Sequence, residues 1–261
     1  MKKLIPLLLI ASGCTTVTFQ APANRFISPE SQSDTLFHGR VHIGGHGGHE
    51  VEVVQNRFSS TPTTIPEISE DSGFQLGVEL QLINRLDAYY IANSESYNSL
   101  GIKFQAIGPS AITATEKSWS LALGGGFLGS TAESDTESGT DGAVTSESET
   151  TIDFSGYEFF VLAGYRPTKD ILLYFGPWFT KFKTDITLDN TESGVTTRTV
   201  DIEGEGDQKS ILIGAILGGG NFKFNLEGAF TRMNYKRTTA PELAADEVSD
   251  FVWGGVGSFS W

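Results

Sequence analysis

Along most of this chain apolar and polar residues alternate with a period of two. Phe74, Leu76, Val78, Leu80 and Leu82 are separated by Gln75, Gly77, Glu79 and Gln81, and Leu100, Ile102, Phe104 and Ala106 by Gly101, Lys103 and Gln105. Phe222, Phe224, Leu226, Gly228 and Phe230 alternate with Lys223, Asn225, Glu227, Ala229 and Thr231. Successive side chains of a strand point to opposite faces, so each segment has one apolar face and one polar or small one. The pattern predicts strands near 36–54, 73–84, 86–94, 99–107, 118–130, 151–165, 170–188, 196–218, 222–236 and 247–261. Most reach about ten residues or more, the length a tilted strand needs to cross a bilayer. Their polar faces carry charges of both signs.

The connections alternate in length. Those at 83–85, 166–169 and 219–221 are short, while 55–72, 131–150, 189–195 and 237–246 are long; 108–117 is the exception, a long connection where a short one is due. On the last segment Phe251, Trp253, Gly255, Gly257, Phe259 and Trp261 share a face, and the chain ends on an aromatic. Short turns at one end, long loops at the other and an aromatic last residue resemble bacterial outer-membrane β-barrel proteins. The resemblance implies an all-β, antiparallel, transmembrane up-and-down barrel of about ten strands, eight being the alternative. It also implies that the barrel-assembly machinery reads the terminal aromatic, with Trp253, Phe259 and Trp261 at the membrane interfaces. An even strand number puts both termini on the periplasmic side.

Met1-Lys2-Lys3 followed by Leu4–Ala11 is a short basic region and a short apolar core, too brief to span a bilayer. Small residues then precede Cys14, the single cysteine. This resembles the bacterial lipoprotein signal, which implies a signal peptide over 1–13 and an acylated Cys14; ordinary cleavage leaving a free thiol is the alternative. Residues 14–35, with prolines and polar residues but no sustained period, read as a tether, and 36–261 as the barrel.

Composition narrows the function. With 32 acidic against 18 basic residues the net charge is −14, and no Lys/Arg cluster exists to hold phosphates, which excludes nucleic acid as a partner. A single cysteine excludes a disulfide framework and a cysteine-based zinc site. Parity places His38, Arg40, His42, His46, Glu50 and Glu52 inside the first strand, opposite Phe37, Val41, Ile43, Val51 and Val53. Glu79, Lys103, Glu158, Lys223, Glu227 and Asp250 join this inward set. Opposite charges packed inside so narrow a barrel pair with one another, because unpaired buried charges are costly.

All four histidines fall between His38 and His49. Same-face strand neighbours four apart are separated by about 13 Å, too far to share an ion that needs each nitrogen within ~2.1 Å. No metal or other cofactor is therefore expected, the one opening being a bend at His46-Gly47-Gly48-His49-Glu50. Omptin-like proteases pair an Asp-x-Asp with a later Asp-x-His, and this chain has neither; no histidine follows His49. Glu133, Asp135, Glu137, Asp141, Glu147 and Glu149 form one acidic loop segment, and Asp201, Glu203, Glu205 and Asp207 a second cluster, open to an extracellular partner or to solvent alone. The expectation is a non-enzymatic barrel in outer-membrane lipids, closed by its polar lumen and displaying acidic loops. One alternative is a narrow pore lined by His38, Arg40, His42, Glu79, Lys103 and Glu227; a second is an outer-membrane hydrolase.

Overall fold

The structure is a computed structural model that describes residues 14–33, 37–56, 65–94, 96–141, 144–192, 195–239 and 245–261. Its eleven strands are β1 (Cys14–Pro22), β2 (Gly39–Asn56), β3 (Glu67–Ile83), β4 (Leu86–Asn93), β5 (Asn98–Ile107), β6 (Trp119–Asp141), β7 (Val144–Thr168), β8 (Ile171–Glu192), β9 (Val195–Leu217), β10 (Phe222–Arg237) and β11 (Asp246–Ser260). All belong to one antiparallel sheet. Neighbours in sequence pair from β2 through β11, and β11 pairs back to β2, so ten strands close a ring; β1 pairs only with β2 and stands outside that count. The tight hairpins between β3 and β4, β7 and β8, and β9 and β10 lie with Trp261 at one end of the barrel, here the turn end. The far tips of β6–β9 mark the extended end.

The long 108–117 connection has a structural reason. Gly108 takes φ +100°, a left-handed backbone that favours glycine. The loop then folds under the barrel, where the Ala111 N–H donates to Ser31 O (2.8 Å) and Gln105 Nε2 to Pro109 O (2.8 Å). It caps the turn end of the lumen.

Strand β8 shows how the wall is built. Near the turn end Leu173 and Phe175 point outward and are exposed, with Phe179 half-buried on the same face, while Tyr174, Trp178 and Thr180 point inward and are buried. Past Phe179 the parity is kept and the polarity reverses: Lys181, Lys183 and Asp185 face out, Phe182, Ile186 and Leu188 face in. The turn-end part therefore has an apolar outer belt, continued by Leu100, Ile102, Phe127, Phe159, Ile213, Phe224 and Trp253 on other strands. That belt is the surface of a membrane-spanning barrel. The extended part has a polar outside and an apolar inside, as a water-soluble β protein does.

Four expectations are corrected. Residues 14–35 are no tether: 14–22 form β1, and 23–33 run buried inside the barrel. The segment 131–150 is not a loop, because β6 and β7 stay paired out to Asp141↔Val144; the side chains of Glu133, Asp135, Glu137, Asp141 and Glu147 lie outside the described residues. Residues 67–72 likewise extend β3 rather than belonging to a connection. Val51 and Val53 face the interior and Glu50 and Glu52 are only half-buried, the reverse of the predicted parity. The β2–β3 register runs unbroken from Gly39↔Leu80 to Glu52↔Glu67, so no bulge causes the reversal. The ribbon instead turns over at Gly47-Gly48, where the absence of side chains permits a strong twist, and turns its other face, with Val51 and Val53, to the core of the extended half.

Candidate functional site: the filled lumen

Strand β1 runs antiparallel to the extended half of β2, from Cys14↔Asn56 to Pro22↔Gly48. It takes the edge of β2 that β11 vacates, since β11 and β2 pair only from Ser260↔Arg40 to Gly255↔Gly45. The alternating run Val17, Phe19, Ala21 faces inward and is buried, with Thr18 exposed. Phe19 meets Phe154 and Tyr235 edge-on, ring centres 5.4 and 5.3 Å apart, and with Phe182, Ile186, Val200 and Ile202 it forms an apolar core inside the extended half.

Beyond Pro22 the chain descends the lumen toward the turn end and bonds to the wall on most sides. The Asn24 side chain ties to Gly47 N–H (2.9 Å) and to Glu227 O (3.0 Å). Arg25 Nε donates to Glu158 (3.2 Å), and its Nη1 to Pro22 O (2.6 Å). The backbone N–H groups of Arg25 and Phe26 both donate to the Glu227 carboxylate, at 2.6 and 3.2 Å. Lower down, Glu30 receives a two-pronged contact from Arg166 (2.7 and 2.6 Å), Ser31 N–H donates to Gln105 and Gln32 N–H to Asp87. Ser33 N–H donates to Gln81. These are the donors that a strandless segment must satisfy somewhere, and the lumen supplies an acceptor for each.

The predicted lumen residues are distributed around this segment. Arg40 pairs with Glu79 and donates to Phe26 O (2.6 Å). Lys103 reaches Glu79 (2.6 Å), Asp87 (3.0 Å) and Glu30 O (2.8 Å), so one carboxylate is shared by two cations. Glu158 accepts from Tyr89 (2.9 Å), Trp178 Nε1 (3.1 Å), Ser99 and Arg25, and Glu227 from Tyr174 (2.7 Å). All of these residues are essentially excluded from solvent. Such a set neutralises the charges of the lumen among themselves, because each buried charge has a hydrogen-bonded partner of opposite sign or several neutral donors.

The other residues of the inward set stand apart from this network. His38 lies at the turn end, its Nδ1 2.7 Å from Trp261 O. Lys223 is half-buried near the same end, and Ser258 donates to its carbonyl. Asp250 lies beside His49 at 3.5 Å, above the network. His42 is buried against Phe26, ring centres 6.1 Å apart. Histidines 42, 46 and 49 thus contact different parts of the molecule, and no cluster of three metal-ligating side chains occurs among the described residues. At the surface, Trp253 is exposed, Phe259 packs on Phe222 (5.0 Å), and Trp261 Nε1 donates to Phe37 O (3.2 Å). The acidic run of β9 is paired rather than bare: Glu205 meets Lys236 of β10 (2.7 Å), and Asp207 meets Lys209 two residues along its own strand (3.2 Å).

Arg25, Glu30, Asp87 and Arg166 complete the network and were not among the predicted residues. A signal for the first two was present: they are the only charges between residues 15 and 33, in a segment that opens with the period-two run Thr16-Val17-Thr18-Phe19-Gln20-Ala21.

Cys14 and Trp261 lie at opposite ends of the barrel, which corrects the expectation that both share the periplasmic side. The ring itself starts and ends at the turn end, as an even number of strands requires. The pass of residues 23–33 through the lumen adds one more traverse, and that carries Cys14 to the other end.

The molecule is thus a ring-closed antiparallel membrane barrel filled by its own N-terminal segment. Among solved structures it is similar to the outer membrane protease OmpT from Escherichia coli, with 10% sequence identity, a TM-score of 0.39, and coverage of 90% of this chain and 100% of that one. No family model and no curated protein matches the chain.

Proposed function

We propose that the protein is a non-enzymatic, non-conducting barrel of the bacterial outer membrane, held shut by residues 23–33 and presenting its extended half as a rigid projection beyond the membrane. The observation that supports this reading is the bonding of the lumen segment to carboxylates and cations around the wall. With the turn end and Trp261 on the periplasmic side, the tips of β6–β9 lie on the outer side of the membrane, available to a surface partner. Lipoprotein processing is part of the same proposal: cleavage before Cys14 makes it the first residue of β1. Intact mass of the membrane-extracted protein, compared with a Cys14→Ser variant, tests that point.

Single-channel recording in a planar bilayer tests closure. The full-length protein is expected to insert, scored by its resistance to unfolding in detergent, and to give no discrete steps. Steady steps from the intact chain would refute closure and restore the pore reading. A hydrolytic activity abolished by alanine at His42 or His46 would refute the non-enzymatic part.

A further inference from the structure

The charges of the lumen do not balance at its turn end. Arg40, Lys103, Arg166 and Lys223 face inward there against Glu30, Glu79 and Asp87, which leaves one cation over. Arg40 and Lys103 share Glu79, Lys103 also takes Asp87, and Arg166 takes Glu30. Lys223 has no ion-pair partner among the described residues. The carboxylates whose field reaches it are Glu30 and Glu79, both already paired, and Arg40 and Arg166 act on it as like charges.

Lys223 borders a cavity of about 370 Å³ at the turn-end mouth of the lumen. Ala111 and Ile112 of the 108–117 loop line it, together with the β9–β10 hairpin at 218–221. The connection that breaks the alternation of short and long thus has a space to enclose. Ser260 Oγ is buried beside the cavity with no hydrogen-bond partner among the described residues. Lys223 pairs with Ser258 across the β10–β11 ladder, so Ser260, two residues on, is its diagonal neighbour on the inward face. Diagonal neighbours stand about 7–8 Å apart, within reach of a long side chain.

The hairpin adds backbone donors. Gly218 and Gly220 take φ of +122° and +69°, left-handed values that suit glycine. The Gly218 N–H goes to Asp170 O (2.9 Å), while the Gly219 and Gly220 N–H groups have no acceptor among the described residues. Consecutive free N–H groups in such a turn form a nest for an anion. Asp170 is the one carboxylate side chain lining the cavity; it lies against Gly219, and Lys169 beside it is unpaired as well. Trp261 O is engaged by His38 Nδ1 (2.7 Å) and by the Gly39 N–H (3.4 Å). We infer that this cavity binds the phosphate group of a small soluble compound, held by the Lys223 ammonium, the Ser260 hydroxyl and the Gly219 and Gly220 N–H groups. Donors from three segments of chain around one space suit a tetrahedral phosphate better than a planar carboxylate. No run of basic residues announces the site in the sequence, because strand pairing assembles it.

Inorganic phosphate is the probe, titrated at constant ionic strength into the full-length protein in nonionic micelles and followed by phosphorus NMR line width and by calorimetry. The parent is expected to bind one equivalent. Lys223→Met should weaken binding roughly ten- to hundred-fold, the loss of one charged hydrogen bond, and Lys223→Arg should keep most of it. Lys209→Met, on the outer face of β9, should leave it unchanged. Ser260→Ala, a smaller change and the second variant should Lys223→Met not fold, is expected to weaken it about five-fold. A folded parent that takes up no phosphate, or folded Lys223→Met and Ser260→Ala proteins that bind it as the parent does, would overturn the inference. So would displacement of the bound phosphate by phosphatidylglycerol doped into the micelle, since the site would then serve a lipid headgroup rather than a solute.

Discussion

The two halves of the barrel use the same strands, the same parity and the same pairing, and are opposite in chemistry. On β8, Leu173 and Lys183 both point outward and Tyr174 and Ile186 both point inward. What changes along the strand is the solvent outside it. In lipid the outer face must be apolar, so the interior takes the charges and must pair them, which is the work of Glu79, Lys103, Glu158 and Arg25. In water the outer face is polar, and the interior is free to be an ordinary apolar core around Phe19. The N-terminal segment follows the same rule: its first part offers Val17, Phe19 and Ala21 to the apolar half, and its second part offers Arg25, Glu30 and a row of backbone donors to the charged half.

That contrast predicts which substitutions each half tolerates. In the charged half the charge itself is what holds the structure. Glu79→Gln keeps the shape but leaves Arg40 and Lys103 without their shared carboxylate, and is expected to cost about 3–5 kcal/mol. In the apolar half the volume is what matters: Phe19→Ala should cost about 3–5 kcal/mol, and Phe19→Leu under about 1.5 kcal/mol. Urea unfolding in micelles, followed by tryptophan emission, measures all three. If Glu79→Gln unfolds within about 1 kcal/mol of the parent, far below the cost of a broken buried pair, the lumen charges do not hold the barrel.

The outer face gives the next largest effect and locates the boundary between the halves. Leu173→Lys puts a charge into the apolar belt and should cost about 2–4 kcal/mol in a bilayer. Lys183→Leu, ten residues further along the same outward face, should stay within about 0.5 kcal/mol. Equal costs for the two would mean that the apolar belt does not end between Phe179 and Lys181.

The ring was legible from period two alone, and the ten predicted strands coincide with β2–β11 to within a few residues except where strands continue past the membrane. Those continuations were hidden for a physical reason. Segments such as 131–141 are rich in Ser, Thr, Glu and Asp, a composition that usually marks a solvated loop, and here the backbone stays paired as a strand. The plug was hidden differently. Its first part alternates like any strand, but the run Thr16–Ala21 is short, and the prolines and polar residues that follow read as linker because no period connects Arg25 to Glu158 or Glu30 to Arg166. Only the closed ring brings those partners together. Parity placed Glu79, Lys103, Glu158 and Glu227 correctly because their strands are regular, and failed at Glu50 and Glu52 because the turn-over at Gly47-Gly48 leaves the residue count unchanged.

The smallest effect belongs to the polar outer face of the extended half, where ion pairs are plentiful and individually weak. Glu205 on β9 faces Lys236 on β10 at 2.7 Å, and the ammonium hydrogen bond holds its carboxyl below the usual carboxylate range. A carboxyl whose folded-state pKa is depressed adds stability above its unfolded pKa and loses it as pH falls through the folded one. The pair is well exposed to water, which screens it, so Glu205→Gln should lower stability at pH 7 by less than about 0.5 kcal/mol. The difference from the parent should vanish in acid, below the carboxylate range, and shrink in high salt. A loss as large as that of Glu79→Gln, or one that persists in acid, would mean that the extended half is held from outside by its charge ladder rather than from within by the core around Phe19.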